Sequence, residues 1–240
     1  MKIARWLWQP LAAKTLVAIV LLIGQTSTIA TAQSFTPPGR GTPVGTAGGG
    51  SRPATSDCVQ AITRSSSLLA LAPTQFIGLT VNDRPTLWVY VPATTAKTLE
   101  FSLLDQEQNG IYQANIPTDG TAQLVKIDLP EAVPALAVGQ SYYWTAALIC
   151  NPQRRTEDWL TGGWMQRQAI GERLQRQLTG ATLEQRRKLY AENGLWYETV
   201  NTLVQLRRSH PSNAALKAAW SELLQVGGLK LVEEPSAQSK

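Results

Sequence analysis

The feature that most limits how this chain can fold is a change of hydrophobic period near residue 168. Before it, apolar residues recur at alternate positions in short runs separated by turn residues. After it, they recur at intervals of three and four. The first pattern belongs to half-buried strands and the second to amphipathic helices. Thr86 to Pro92 (TLWVYVP) is β-branched and aromatic, with Pro85 at its start. Leu99, Phe101 and Leu103 alternate with Glu100 and Ser102, and Asn109-Gly110 marks a turn into Ile111–Ile116, which predicts a hairpin. Val125, Ile127 and Leu129 alternate next, and Ser141 to Cys150 is the longest β-like run. Leu68–Leu71 and Phe76–Val81 are candidates for shorter strands, and Thr161–Gln168 either adds a strand or leads into the helices. About seven short strands at this spacing predict an antiparallel β-sandwich of the Ig-like kind.

Beyond residue 168, Thr182 and Gln185 form a capping-box pattern for a helix ending near Asn193-Gly194. Trp196, Val200, Leu203 and Leu206 share a helical face, and Pro211 stops that run. Ser212 is placed to cap a last helix with Leu216, Ala219, Trp220, Leu223 and Leu224 on one stripe, closed by Gly227-Gly228. The fold class expected is therefore α+β, a sandwich followed by a C-terminal helical hairpin region.

The flanks read differently. Lys2, Arg5 and Lys14 precede the apolar run Thr15 to Gly24, and Ala30-Thr31-Ala32 supplies a small-x-small cleavage pattern before Gln33. Residues 1–32 are expected to be a signal peptide cleaved between Ala32 and Gln33, with an uncleaved anchor as the alternative. The run is shorter than the roughly 20 residues a bilayer span needs. Residues 33–56 carry six Gly and four Pro and no apolar period, the composition of a disordered tether. The division expected is then signal 1–32, tether 33–56, β-sandwich domain 57–168, helical region 169–228 and flexible tail 229–240. The whole chain has a formal net charge of +5. Losing three basic residues with the signal leaves about +2, which is no nucleic-acid footprint.

One histidine and two cysteines exclude a zinc finger within the chain. An exported chain with Cys58 and Cys150 most simply forms one disulfide between them; two buried free thiols are the alternative.

Arg84-Pro85-Thr86-x-Trp88-x-Tyr90-Val91-Pro92, Val138-Gly139-x-x-Tyr142-x-Trp144 and Cys150-Asn151-Pro152 together resemble the domain of unknown function 928 family. Gly163-Trp164, Gly194-x-Trp196-Tyr197, Leu206-Arg207 and Trp220 extend the likeness over roughly residues 57–226. The resemblance implies an exported, mainly cyanobacterial protein with no assigned activity, so it carries over no catalytic residue. Separately, Gly194, Trp196, Leu203 and Pro211 resemble the second helix of a tetratricopeptide repeat, without a second copy.

No catalytic constellation is visible. Glu157 and Asp158 are adjacent in a charged loop, and adjacency does not give the cleft-spanning pair a glycosidase needs. His210, before Pro211, suits a helix end. No cofactor or metal is expected. The tryptophans read mainly as core, with Trp159 in the polar Arg154–Gly163 loop as the expected exposed aromatic. Trp159, Arg154, Arg155, Arg186, Arg187 and Lys188 form the candidate interaction surface. The function expected is that of a non-enzymatic periplasmic or secreted envelope protein acting as a protein-interaction module. A glycan- or peptidoglycan-binding module is the alternative, and an envelope-polymer hydrolase a third. The partner is an envelope protein or a glycan, with no nucleic acid and no stable membrane span after cleavage.

Overall fold

The computed structural model describes residues 34–39, 58–59 and 67–229, all within the unit 32–240. The signal segment, the Ala32–Gln33 cleavage site, most of the tether and the tail beyond Leu229 lie outside the described residues. Among the described residues, eight strands come first: β1 (Leu69–Ala70), β2 (Gly78–Thr80), β3 (Thr86–Val91), β4 (Thr98–Leu104), β5 (Gly110–Pro117), β6 (Gln123–Asp128), β7 (Ser141–Leu148) and β8 (Trp159–Arg167). Four helices follow: α1 (Glu172–Leu178), α2 (Leu183–Glu192), α3 (Trp196–Ser209) and α4 (Ala214–Val226). The class is α+β. One sheet has the order β1-β3-β6 and the other β2-β8-β7-β4-β5.

The alternation in β4 is realised residue by residue. Leu99, Phe101 and Leu103 are buried, while Glu100 and Ser102 are half-buried on the other face. Opposite them on β7 stand Leu148, Ala146 and Trp144. Residues directly opposite on antiparallel strands share a face, so this ladder forms one wall of the core. On the far side of β7, Trp144 faces Gly163 of β8. A Cβ at 163 would collide with the Ala72 side chain, so only glycine lets this part of the chain approach so closely.

Strand β3 is buried on both faces, which is why its sequence reads as a continuous apolar run rather than an alternation. Trp88 on β3 donates from Nε1 to Asn201 of α3 at 3.2 Å, and the Arg208 guanidinium lies 4.7 Å from the centre of the Trp88 ring. Helix α3 touches β2 as well as β3, one strand from each sheet. Both sheets, α3 and α4 contribute to one hydrophobic core.

Four expectations need correction. The pairing is not wholly antiparallel: β2 runs parallel to β8, with Gly78 beside Met165 and Thr80 beside Arg167. Hydrophobic period reports burial, not strand direction, so the sequence held no sign of this. The β4–β5 hairpin forms, but its turn lies ahead of Asn109-Gly110, at Gln106-Glu107; Gln108 is left-handed (φ 69°), and Asp105 accepts from the backbone and side-chain amides of Asn109 and closes the loop. Helix α4 is capped by Asn213, whose side chain accepts from Ala215 N and Leu216 N, rather than by Ser212. Finally, the Gly/Pro-rich segment places one residue, Phe35, in the core. Phe35 is buried between Phe76 and Trp196, with ring centres 5.9 and 5.3 Å away, and Thr36 N donates to Ala191 O. The Thr182–Gln185 capping box is present with both reciprocal bonds.

Candidate functional site

The loop before β8 does not offer the exposed aromatic expected of it. Trp159 is 4% exposed. It begins β8 directly opposite Leu148, a core residue, and so turns inward with it. The charges around it are satisfied locally. Arg155 bonds Glu100 at 2.7 Å and Asp158 at 2.5 Å, and Arg154 pairs with Glu157 at 3.1 Å. The bonds to Glu100 and Asp158 push the Arg155 pKa up, holding its charge in place. Glu157 and Asp158 each face an arginine, so both carboxylates are taken up in local ion pairs.

The second basic cluster divides. Arg187 is buried on α2 and holds Glu184 through Nε and a terminal nitrogen, the shorter bond 2.7 Å. Position 187 shares with Ala191 the face that α2 turns to the core. Arg186 and Lys188 remain exposed. Among the described residues, no hydrogen bond or ion pair joins Arg154 or Arg155 to residues 186–188. With Trp159 and Arg187 buried, four of the six, Arg154, Arg155, Arg186 and Lys188, are exposed.

Cys58 and Cys150 are joined in a disulfide, with Cα atoms 5.4 Å apart and a sequence separation of 92. The carbonyl of Cys58 also accepts from Thr94 Oγ1 at 2.6 Å and Thr95 N at 2.8 Å, so the segment is tied to the strand system on two sides.

The structure offers a different site. The parallel strands β2 and β8 end side by side, and a cleft of about 390 Å3 opens beyond their carboxyl ends. Helix α1 forms one wall; the end of α2 and the start of α3 form the other. Gln168, Arg173, Gln177, Glu192 and Asn193 supply polar groups, over a floor that includes Leu174 and Leu195. Three carboxamides, one guanidinium and one carboxylate can donate and accept in several directions. They contain no nucleophile–base pair. Lys188 lines a second, more open depression of about 480 Å3 that shares Gln177. Among the described residues, no group of three or more His, Cys, Asp or Glu side chains is placed to hold a metal, and no helix is long and apolar enough to cross a membrane.

Behind the cleft wall sits Glu198, buried in the first turn of α3. Its Oε1 accepts from Thr80 Oγ1 at 2.5 Å, Val81 N at 3.0 Å and Asn82 N at 3.3 Å. Its Oε2 is buried with no hydrogen-bond partner among the described residues. The carboxyl thus pins α3 to the end of β2, and Val81 is itself part of the cleft. Burial pushes its pKa above the ordinary 4.5, and bonds from Thr80 and the backbone oppose that rise. The folded state then keeps the proton to higher pH than the unfolded chain does. Its contribution is complete below the ordinary carboxylate range and is lost as pH rises through the folded value. Glu198→Gln should abolish this slope: above pH 4.5 the wild type should lose stability relative to the variant as pH rises, read as melting temperature against pH. Parallel profiles would refute the assignment.

Neither Glu198 nor the cleft residues stood out in sequence. A glutamate in the first turn of a helix is commonplace, since the helix dipole favours it there. What distinguishes Glu198 is its burial in the first turn of a helix whose Trp196, Tyr197, Val200 and Leu203 are also buried. The strand tryptophans separate too: Trp88 and Trp144 are buried, while Trp164 is half-buried with its ring 5.2 Å from that of Tyr143.

A family described as Domain of Unknown Function (DUF928) matches residues 47–236. No curated protein matches the chain. Among solved structures, a human fibronectin type III domain from the collagen alpha-1(XX) chain is similar at 8% identity and a TM-score of 0.27, over 49% of this chain and 93% of that one.

Proposed function

We propose that this chain, which belongs to the Domain of Unknown Function (DUF928) family, is an exported, non-enzymatic envelope protein that binds a polar segment of a partner protein in the cleft beyond β2 and β8. The cleft carries the reading. It is of ligand size, its walls come from α1 and the α2–α3 junction, and its carboxamides, Arg173 and Glu192 suit the amide groups and charges of a peptide. The disulfide supports export, because such bonds persist in oxidising compartments. In this reading residues 1–32 are the address removed before Gln33, the segment from 40 to 57 is a tether, and residues 230–240 are a tail. The two sheets are the halves of an Ig-like sandwich. The burial of Leu99, Phe101 and Leu103 from one and Leu87, Val89 and Val91 from the other within one core supports that.

The test places a photo-crosslinking side chain at Gln177, in the cleft, or at Lys217, exposed on α4, in cells that express the protein. A single protein adduct from 177 and none from 217 is expected. Arg173→Glu should cut it tenfold or more, since a bond to a charged group contributes about 1.5–3 kcal/mol. No adduct at 177, or the same adducts at both positions, would count against the reading.

The half-exposed Tyr143–Trp164 pair favours glycan binding as a second reading, because adjacent aromatic rings offer a face to a sugar. Binding of the purified protein to envelope polysaccharide, lost in Trp164→Ala, would shift the assignment to it.

A further inference from the structure

Among the described residues, side chains bond the backbone of two of the four sheet edges and the chain just past the end of a third. On β1, Ala70 N donates to Thr161 Oγ1 at 2.9 Å. On β6, the Leu124 carbonyl accepts from Arg208 at 3.2 Å, beside the Lys126–Asp128 ion pair. At the end of β2, Glu198 takes the amides of Val81 and Asn82. The fourth edge, β5, differs on each count. It is eight residues long, pairs with β4 alone among the described residues, and no described side chain bonds its backbone. Gly110–Pro117 also contains no charged residue, the usual guard of a free edge.

The sequence of β5 is complementary to itself. With Ala114 at the centre of an antiparallel pair, Tyr112 stands opposite Ile116 on one face and Gln113 opposite Asn115 on the other. The first face is the one packed on β4, where Tyr112 lies 6.3 Å from Phe101 and both Tyr112 and Ile116 are only half-buried. A second strand would cover them. The other face brings carboxamide against carboxamide, with Gln113 and Asn115 both exposed.

We infer that β5 is the contact through which two copies of this chain join, antiparallel about Ala114, into one continuous sheet across a two-fold axis. An identical strand fits because the apolar pair, the amide pair and the small central residue all recur on reversal. The interface is isologous, so it closes at two copies.

The test is the mass of the purified protein by light scattering across a dilution series, with thermal melts to show that each variant is folded. The wild type should have twice the chain mass and dissociate on dilution. Gln113→Lys with Asn115→Lys puts like charges opposite each other twice and should give monomer. Gln113→Glu with Asn115→Lys puts opposite charges there and should restore the dimer. Both pairs of substitutions fall on exposed positions, so folding is kept. A wild type that is monomeric throughout would overturn the inference. So would two charged variants of the same mass, because the centre would then not be Ala114.

Discussion

Replacing Cys58 and Cys150 together with serine is expected to lower stability by about 4–5 kcal/mol. The bond closes a loop with a sequence separation of 92. In the chain-entropy account, releasing a loop of that size gives the unfolded state about 4–5 kcal/mol of freedom. For a unit of this size that corresponds to a fall of roughly 8–20 °C in melting temperature. The folded state has other holds on this segment: Thr94 and Thr95 still bond the Cys58 carbonyl, and Val59 still bridges to Thr94. The variant should therefore fold to the same structure with a lower denaturation midpoint, and reduction of the wild type should reproduce the shift. A loss under about 1 kcal/mol would mean that the loop is already constrained in the unfolded chain.

Trp144→Ala should cost about 3–5 kcal/mol, the range for deleting a large buried aromatic. Trp144 is 0% exposed in the middle of β7. It does more than fill space. Its Nε1 donates to the Tyr197 hydroxyl at 3.0 Å, and that hydroxyl donates to Trp164 O at 3.0 Å. This relay joins the central strand, α3 and β8. Tyr197 is itself enclosed, and burial raises its phenol pKa. Trp144→Phe separates the two contributions: it keeps most of the apolar volume and loses the donor, so about 1–2 kcal/mol is expected from the bond and partial cavity. Chemical denaturation of both variants measures the difference. Equal losses for Phe and Ala would show that the hydrogen bond, not the packing, dominates.

Sequence and structure agree where one physical cause acts alone. In β4 one face is wet and the other dry, so Leu99, Phe101 and Leu103 announced their burial by alternation. The stripe on α4 and the capping box of α2 were legible for the same reason, being local. The disulfide followed from a count of two. What escaped depended on distant partners. Trp159 sits among polar residues, yet those residues satisfy one another and leave the ring to follow Leu148 inward. Arg187 lies in a basic triplet that promises a solvated face, but its neighbour Glu184 neutralises it in place. Composition averaged over 33–56 hid Phe35, the one large aromatic in that segment. The cleft needed the parallel meeting of β2 and β8, which no period encodes.

The docking of Phe35 against Trp196 carries a consequence for timing. A polypeptide is made, and threaded through any translocation channel, amino end first. Phe35 therefore emerges early, and its aromatic neighbour appears only when most of the chain is out. Cys58 likewise waits for Cys150. A nascent chain halted before α3 would hold neither the Trp196 ring that seats its first packed residue nor the Glu198 carboxyl that fixes the end of β2. Synthesis of this molecule thus leaves a long interval in which Phe35 and the end of β2 lack the residues that hold them.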